Sequence, residues 1–462
     1  MTTTDPAGVL ADLRAVLPAA AVVTASDRVD ARLTDASGVP AAGRPLALLR
    51  PVDTAQVAAA LTVAHRHRVP VVPQGALTGL AGGASAVPGA LLLDLSGMDA
   101  IVRIDPVDQV AVVQPGVVVD DLARAAAAQG LFYAPDPASS DRATVGGTIA
   151  TNAGGMRCVK YGVTRDVVRS LEVVLADGTV LRTRPATVKA VAGYDLTGLV
   201  VGSEGTLAVV TQATLDLLPA PGPVRGTSAT FASVADALAA ANAIMAGPHR
   251  PSTLELLDGV VLAAVAAHVP DAGLPTGARA WLLALTDARA GAEDDLAAFT
   301  AACVAHGALT TATADDPSRV EDLLTARRAF NPAMRALRGA SLNEDVAVPR
   351  ARLADLISGL AVIAARTGLV IGSGGHVGDG NLHPVIAYDP SDARQVEAAA
   401  DAHRQVLDLA GELGGTVTGE HGIGTEKLGA VDAELGPTVR GLQRALKAVF
   451  DPLGILNPGK KL

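Results

Sequence analysis

Short apolar runs alternate with longer amphipathic stretches from Ala47 onward, the pattern of strands interleaved with helices. Before that point, residues 1–40 read as one amphipathic helix followed by a polar connector. Runs at 48–51, 69–73, 91–95 and 110–113 read as strands, and 54–67 reads as a helix capped by Asp53 or Thr54. A helix over 118–129 ends at Gly130, a residue suited to a left-handed cap. Strands at 171–175 and 180–183 flank Asp177-Gly178, a hairpin turn signal. The run Pro219-Ala-Pro-Gly-Pro223 marks a boundary, because its prolines can continue neither a helix nor a central strand. Beyond it the pattern predicts helices at 233–245, 294–306, 350–367, 401–412 and 437–450. Strands fall at 280–286, 346–349 and 369–373. No internal repeat breaks this order.

At 462 residues the chain is too long for one ordinary core, so two or more domains are expected. Hydrophobic residues make up 49% against 18% charged, which is a globular composition. Aromatics reach only 2% and the net charge is −10, which argues against nucleic-acid binding. A nucleotide cofactor remains open, since backbone amides can hold it without cationic side chains. Two cysteines, Cys158 and Cys303, are too few for a disulfide framework. The start shows no signal-peptide pattern, and no apolar run is long enough to span a bilayer. A soluble cytoplasmic protein is expected.

The chemistry concentrates in Gly-Gly-His-Val-Gly-Asp-Gly-Asn-Leu-His (374–383) and Thr-Gly-Glu-His-Gly-Ile-Gly (418–424). Together they supply His376, His383, Glu420 and His421 among glycines. Two imidazoles and a carboxylate suit a borderline divalent metal with a coordination position left for substrate. His421 then stands beside a candidate ligand, where an imidazole can act as base at its ordinary pKa of about 6.5. The bland alternatives are a structural glycine turn, or two histidines two turns apart on one helix face. Two helix-interior glycines would each cost roughly 1 kcal/mol, so a tight turn between strands is the expectation. The other histidines (His65, His67, His249, His268, His306 and His403) read as surface or capping residues.

Three glycine segments precede Pro219. Pro73-Gln-Gly-Ala-Leu-Thr-Gly-Leu-Ala-Gly-Gly83 follows a strand and is either a nest for pyrophosphate or an ordinary turn. It matches neither a dinucleotide fingerprint nor a phosphate loop ending in Lys-Ser/Thr. The second runs from Ala134 to Gly155 and the third joins Gly193-Tyr-Asp-Leu196 to Gly202-Ser-Glu-Gly-Thr-Leu207. Three such turns suggest one extended ligand.

With Val-Lys-Tyr-Gly-Val-Thr-Arg-Asp (159–166) and the closing Phe-Asp-Pro-Leu-Gly-Ile-Leu-Asn-Pro-Gly-Lys (450–460), the set resembles the FAD-dependent vanillyl-alcohol oxidase superfamily, or p-cresol methylhydroxylase type, from about residue 41 to the end. Within it the chain is similar to the branch of glycolate oxidase D-subunits, D-lactate dehydrogenases and D-2-hydroxyglutarate dehydrogenases. The resemblance implies an α+β fold: an FAD-binding domain of two subdomains over 41–220 and a cap domain with an antiparallel sheet over 221–425. Segments 1–40 and 426–462 flank these, the latter returning to the FAD domain. It implies that Gln74, Gly75, Ala76, Leu77, Thr78, Gly79 and Leu80 wrap the pyrophosphate. Ser140, Thr144, Gly147, Gly154, Gly155, Glu204, Gly205 and Val210 would line the cofactor, and Asn457 would reach the flavin edge. The phosphate loop has no histidine, so FAD is expected to be noncovalent. By the same resemblance His376, His383 and Glu420 bind a divalent metal (zinc, with manganese or iron as alternatives), His421 is the base, and Arg327 and Asn381 bind substrate.

Two departures shape the expectation. Gln74, Ala76 and Leu77 stand where relatives usually carry arginine and glycines, and Asn343 and Val385 stand where dicarboxylate-specific enzymes carry lysine and asparagine. The second favours a monocarboxylate such as D-lactate or glycolate, with D-2-hydroxyglutarate as the alternative if Arg335 or Arg338 substitutes for that lysine. The expected reaction is oxidation of a D-2-hydroxy acid by metal-assisted hydride transfer to flavin. A metal-dependent hydrolase is the rival from another class. The electron acceptor is not legible, and the assembly expectation is a homodimer.

Overall fold

The computed structural model describes residues 5–269 and 277–462. It divides into two compact units. The first comprises the stretch ending at Gly155, Gly162–Ala220 and Glu420–Leu462; the second comprises Met156–Tyr161 and Pro221–Gly419. Both mix helices with sheets, and an α+β class describes them. No helix among the described residues is long and apolar enough to cross a membrane.

The first unit holds two larger sheets and a two-stranded pair, Leu131–Phe132 with Leu218–Pro219. In the four-stranded one, Val22–Val23, Ala47–Leu49, Leu91–Asp94 and Val71–Gln74 lie side by side in that order. The last three run parallel and are buried almost throughout, as continuous Val/Leu runs predict. Helix Thr54–His67 covers one face through Val57, Leu61 and Ala64, and the Asp53 carboxylate caps it by accepting from the Gln56 N–H. The second sheet is antiparallel, with Ile101–Asp105, Val110–Val113, Val209–Asp216, Val168–Val174 and Val180–Arg182 in spatial order.

The described part of residues 1–40 (the first four lie outside the described residues) is more structured than one helix and a connector. Helix Pro6–Val16 is present, but Val22–Val23 pairs antiparallel with Leu48 and Leu49, and a short helix, Ser26–Asp30, follows. Two valines are too few to show a period, and only the partner strand makes them a strand.

The second unit is built on one antiparallel sheet. Its order is Ala308–Ala314, Arg225–Phe231, Ala280–Thr286, Thr253–Asp258, Val370–His376, Asn381–Tyr388 and Ala340–Asn343. The short strand Val346–Ala347 also pairs with Asn381–Tyr388. Four of these strands escape a reading of the pattern: in Arg225–Phe231, Ala308–Ala314 and Ala340–Asn343 the residues Ala, Thr, Ser and Gly blur the period-2 contrast, and Thr253–Asp258 is buried on both faces and does not alternate. Helix Ala393–Glu412 starts earlier than the apolar pattern suggests. The helix expected from Pro437 continues one that begins at Leu428, and Gly436, with φ 70° and ψ 168°, breaks the two apart.

Candidate functional site

In the second unit, the two histidines of the glycine-rich motif lie on adjacent strands of the sheet. Val370–His376 and Asn381–Tyr388 form a hairpin, with Val377, Gly378, Asp379 and Gly380 as the turn. Gly374 pairs with His383, and Glu255 on the neighbouring strand pairs with His376. Residues two apart share a strand face, so Glu255, His376 and His383 project from the same side across three strands. Both imidazoles are buried at 6% exposure. Their rings stand nearly perpendicular, and the two Nε2 atoms are 3.5 Å apart. Gly375 makes this possible: at φ +147°, a Cβ there would sit 2.9 Å from the Asn381 carbonyl oxygen and 3.2 Å from the His383 ring.

The carboxylate of Glu255 shares a hydrogen bond of 2.5 Å with His376 Nδ1 and accepts 2.6 Å from Arg327 Nε. Burial pushes the Glu255 carboxyl up, but His376 and Arg327 together outweigh it and hold the group down to about 2. His376 therefore turns Nε2 toward His383 while Nδ1 is committed to a carboxylate, the arrangement that orients an imidazole ligand. Two nitrogens each about 2.0 Å from a tetrahedral ion are roughly 3.3 Å apart, so this pair fits two positions of one metal. Arg327 stacks over the Phe330 ring, and its two Nη groups make no hydrogen bond among the described residues. Asn381 donates both amide hydrogens, to Asp345 Oδ1 at 2.8 Å and to the Val346 carbonyl at 3.0 Å. Thr418 also donates to Asp345, at 3.0 Å, which fixes the loop leading to Gly419.

The first unit contains a cavity of ≈410 Å³. Gly75, Ala76, Leu77, Thr78, Gly79 and Leu80 form one wall, Thr144, Gly147 and Gly154 another, and Glu204, Gly205, Glu420 and His421 a third. A smaller cavity shares Gly75, Thr144, Gly147 and Gly205 and adds Gln74 and Val210. The backbone N–H groups of Ala76 to Leu80 donate to no acceptor among the described residues. Five amides in succession, from half-buried Ala76 to Gly79 and exposed Leu80, with Leu77 at φ 61°, make a nest that fits the diphosphate of a dinucleotide. Gly75 lets the loop lie against the start of helix Val145–Thr151, since a Cβ there would come 2.5 Å from the Oγ1 of its cap, Thr144.

Glu204 is buried beneath the third wall. Its two carboxylate oxygens accept from the Ile423 N–H at 2.8 Å and the Gly424 N–H at 2.7 Å, which anchors the segment carrying Glu420 and His421. Asn457 braces the same wall from behind, donating to the carbonyls of Gly83 and Glu204. Asn457 is thus fully committed behind the wall, and Ser139 and Gly154 face the cavity where Ser140 and Gly155 do not. Sequence reasoning missed Glu255 altogether, because no motif surrounds it. Of the remaining histidines, His65, His67, His268 and His306 sit at helix C-termini as capping residues do. His249 and His403 do not: they pair with Asp295 and Glu344.

Comparison with known proteins agrees with this geometry. A family described as FAD linked oxidases, C-terminal domain, matches residues 221–461, and an FAD binding domain matches residues 45–184. The chain is 41% identical to the glycolate oxidase subunit GlcD of Bacillus subtilis (strain 168), over 90% of this chain and 88% of that protein. It is 35% identical to the D-lactate dehydrogenase of Anaerostipes hadrus, over 90% and 89%. The crystal structure of p-cresol methylhydroxylase with substrate bound shares the fold at a TM-score of 0.81 and 21% identity, covering 100% of this chain and 97% of that one. These matches set aside the metal-hydrolase reading, since both halves of the chain match flavin-linked families. An amide nest at one end of the chain and a matching family model across the other lead to one conclusion: this chain belongs to the FAD-linked oxidases and is an FAD-dependent oxidoreductase.

Proposed function

We propose that the protein oxidises a small D-2-hydroxy acid to the 2-oxo acid, with D-lactate or glycolate as substrate. The observation that carries this reading is the buried His376–His383 pair, with Nε2 atoms 3.5 Å apart and an arginine held alongside through Glu255. The names of the relatives, a glycolate oxidase subunit and a D-lactate dehydrogenase, support it.

In this reading FAD binds noncovalently: the amides of Ala76 to Leu80 hold its diphosphate, and Thr144, Gly147, Gly154, Gly205 and Val210 line the rest. His376, His383 and Glu420 hold a divalent ion. Glu420 follows Gly419 by one peptide bond, and Gly419 packs against Asn381 and Asp345. When bound, FAD supplies a two-electron acceptor for hydride and the ion, zinc by preference over manganese or iron, supplies Lewis acidity. His421 takes the hydroxyl proton on a ring nitrogen, and the Glu204 clamp on Ile423 and Gly424 limits where that ring can go. The free Nη pair of Arg327 binds the substrate carboxylate as a fork, and Glu255 fixes its approach. Asn381 contributes its remaining amide oxygen to substrate while its hydrogens hold Asp345 and the Val346 carbonyl.

A monocarboxylate is favoured because Asn343 and Val385 face each other across paired strands and neither brings a cation. Arg335 and Arg338 are exposed and do not replace it. Anaerobic bleaching of the flavoprotein by D-lactate, L-lactate, glycolate and D-2-hydroxyglutarate tests the reading. D-lactate or glycolate should bleach fastest. Faster bleaching by L-lactate or D-2-hydroxyglutarate would contradict it.

A further inference from the structure

The cavity wall that carries the amide nest has a support that lies outside the matched FAD-binding residues 45–184. Arg32 is largely buried and makes three bonds through its guanidinium. Nη2 donates to the Gly75 carbonyl at 2.7 Å and to Asp94 Oδ1 at 3.0 Å, and Nε donates to Gln74 Oε1 at 3.3 Å. Gln74 returns the contact: its Nε2 donates to the Arg32 carbonyl at 2.9 Å and to the Ala84 carbonyl at 2.8 Å. One side chain thus ties the entry of the loop to its exit. The residues after Arg32 run along the loop as a strap. The Ala36 N–H donates to the Leu77 carbonyl at 3.0 Å, the Ala86 N–H donates to the Leu33 carbonyl at 2.8 Å, and Asp35 Oδ2 accepts from the Ala84 N–H at 3.3 Å. Asp35 and Ala36 also line the cavity.

From these contacts we infer that residues 32–36 are part of the FAD site, with Arg32 the positioning residue for the diphosphate nest. A nest binds an anion only if successive N–H groups converge, and a left-handed non-glycine residue such as Leu77 opposes that shape by roughly 1–2 kcal/mol. The Ala36 bond holds Leu77 in place, and the Arg32 fork holds the loop at its first residue. Gln74 cannot provide the fork, and Arg32 provides it from the neighbouring segment instead. Arg32 does not line the cavity, so its guanidinium acts through the loop.

Titration of apoprotein with FAD, followed by flavin fluorescence, tests this alongside melting of the apoprotein. Arg32→Ala should weaken FAD binding by about ten- to a hundred-fold, the effect of losing charge-assisted hydrogen bonds. The apoprotein melting temperature should move no more than in Arg50→Ala, which loses an ion pair to the same Asp94 without touching the loop. Arg50→Ala itself should keep FAD affinity within about two-fold, as for an exposed ion pair. Arg32→Lys, which keeps a charge but no fork, should fall between parent and Arg32→Ala, and it carries the test if Arg32→Ala does not fold. Parent-like FAD affinity in both Arg32 variants would overturn the inference, as would an affinity loss matched by equal loss of apoprotein stability. A parent protein that takes up no FAD would overturn the cofactor reading on which the inference rests, and so would be distinguishable from either.

Discussion

The cavity of the first unit and the histidine face of the second are made of different materials. Around the cavity the working groups are backbone N–H donors from Ala76 to Leu80 and small residues that let a ligand approach. On the sheet of the second unit the working groups are side chains: Glu255, His376 and His383 are lined up by strand register, and Arg327 reaches Glu255 from helix Pro317–Arg328. A backbone site depends on loop shape and is hurt by added atoms. A side-chain site depends on functional groups and is hurt by removed ones. The two should therefore answer differently to the same kind of substitution.

The largest effects should come from truncation at the side-chain site and its base. His383→Ala should lose bound metal by elemental analysis and lower the rate of flavin reduction by about 10²–10⁴, while the protein stays yellow. His421→Ala should slow reduction over the same range, as loss of a general base does, with metal and FAD retained. A parent-like reduction rate in either variant would remove that residue from the chemistry. Glu255→Gln comes next. Its loss should cost about 10–100-fold in metal affinity or rate, as for other partners of metal-bound histidines, and FAD content should not change.

At the backbone site the order reverses. Gly75→Ala adds a Cβ 2.5 Å from Thr144 Oγ1, and overpacking of about 1–3 kcal/mol should weaken FAD binding roughly 5- to 100-fold. Thr78→Ala, which removes atoms from the same wall, should change FAD affinity by no more than about two-fold, because the donor there is the backbone. If Thr78→Ala proved as damaging as Gly75→Ala, the contrast between the two sites would fail.

The smallest effect concerns Asp258, which caps helix Gly259–His268 through the Val261 N–H and holds the Ser373 N–H at 2.7 Å. Burial pushes its carboxyl up to about 6 from an ordinary 3.8. The folded state then binds the proton more tightly than the unfolded one, so stability falls as pH rises from about 4 to about 6. Denaturant melts across that range should show the decline in the parent and a flatter profile in Asp258→Asn. An equal slope in both would assign the pH dependence elsewhere.

How much of this the chain discloses on its own follows from the same contrast. Local chemistry was readable: Asp53 and the helix Thr54–His67, the strands Val110–Val113 and Ala280–Thr286, and the turn between His376 and His383 all carry their signals within a few residues. The glycine segments pointed to the cavity, and Gly154 lines it as expected, though Ser139 lines it in place of Ser140 and Gly155 does not, because a loop has no period to fix which residue turns inward. Glu255 stands 121 residues from His376 in a strand with no motif, and only cross-strand register joins them. Arg32 is equally silent: its role exists through Gln74, Gly75 and Asp94, and a parallel strand pairing places Gln74 beside Asp94.

Anaerobic reduction of the holoenzyme by D-lactate or glycolate, before and after a chelator has stripped the metal, is the most direct measurement. Bleaching should stop when elemental analysis shows the ion gone and should return on adding zinc. A metal-free protein that keeps its FAD and bleaches at the original rate would show that the paired histidines hold no ion the reaction needs.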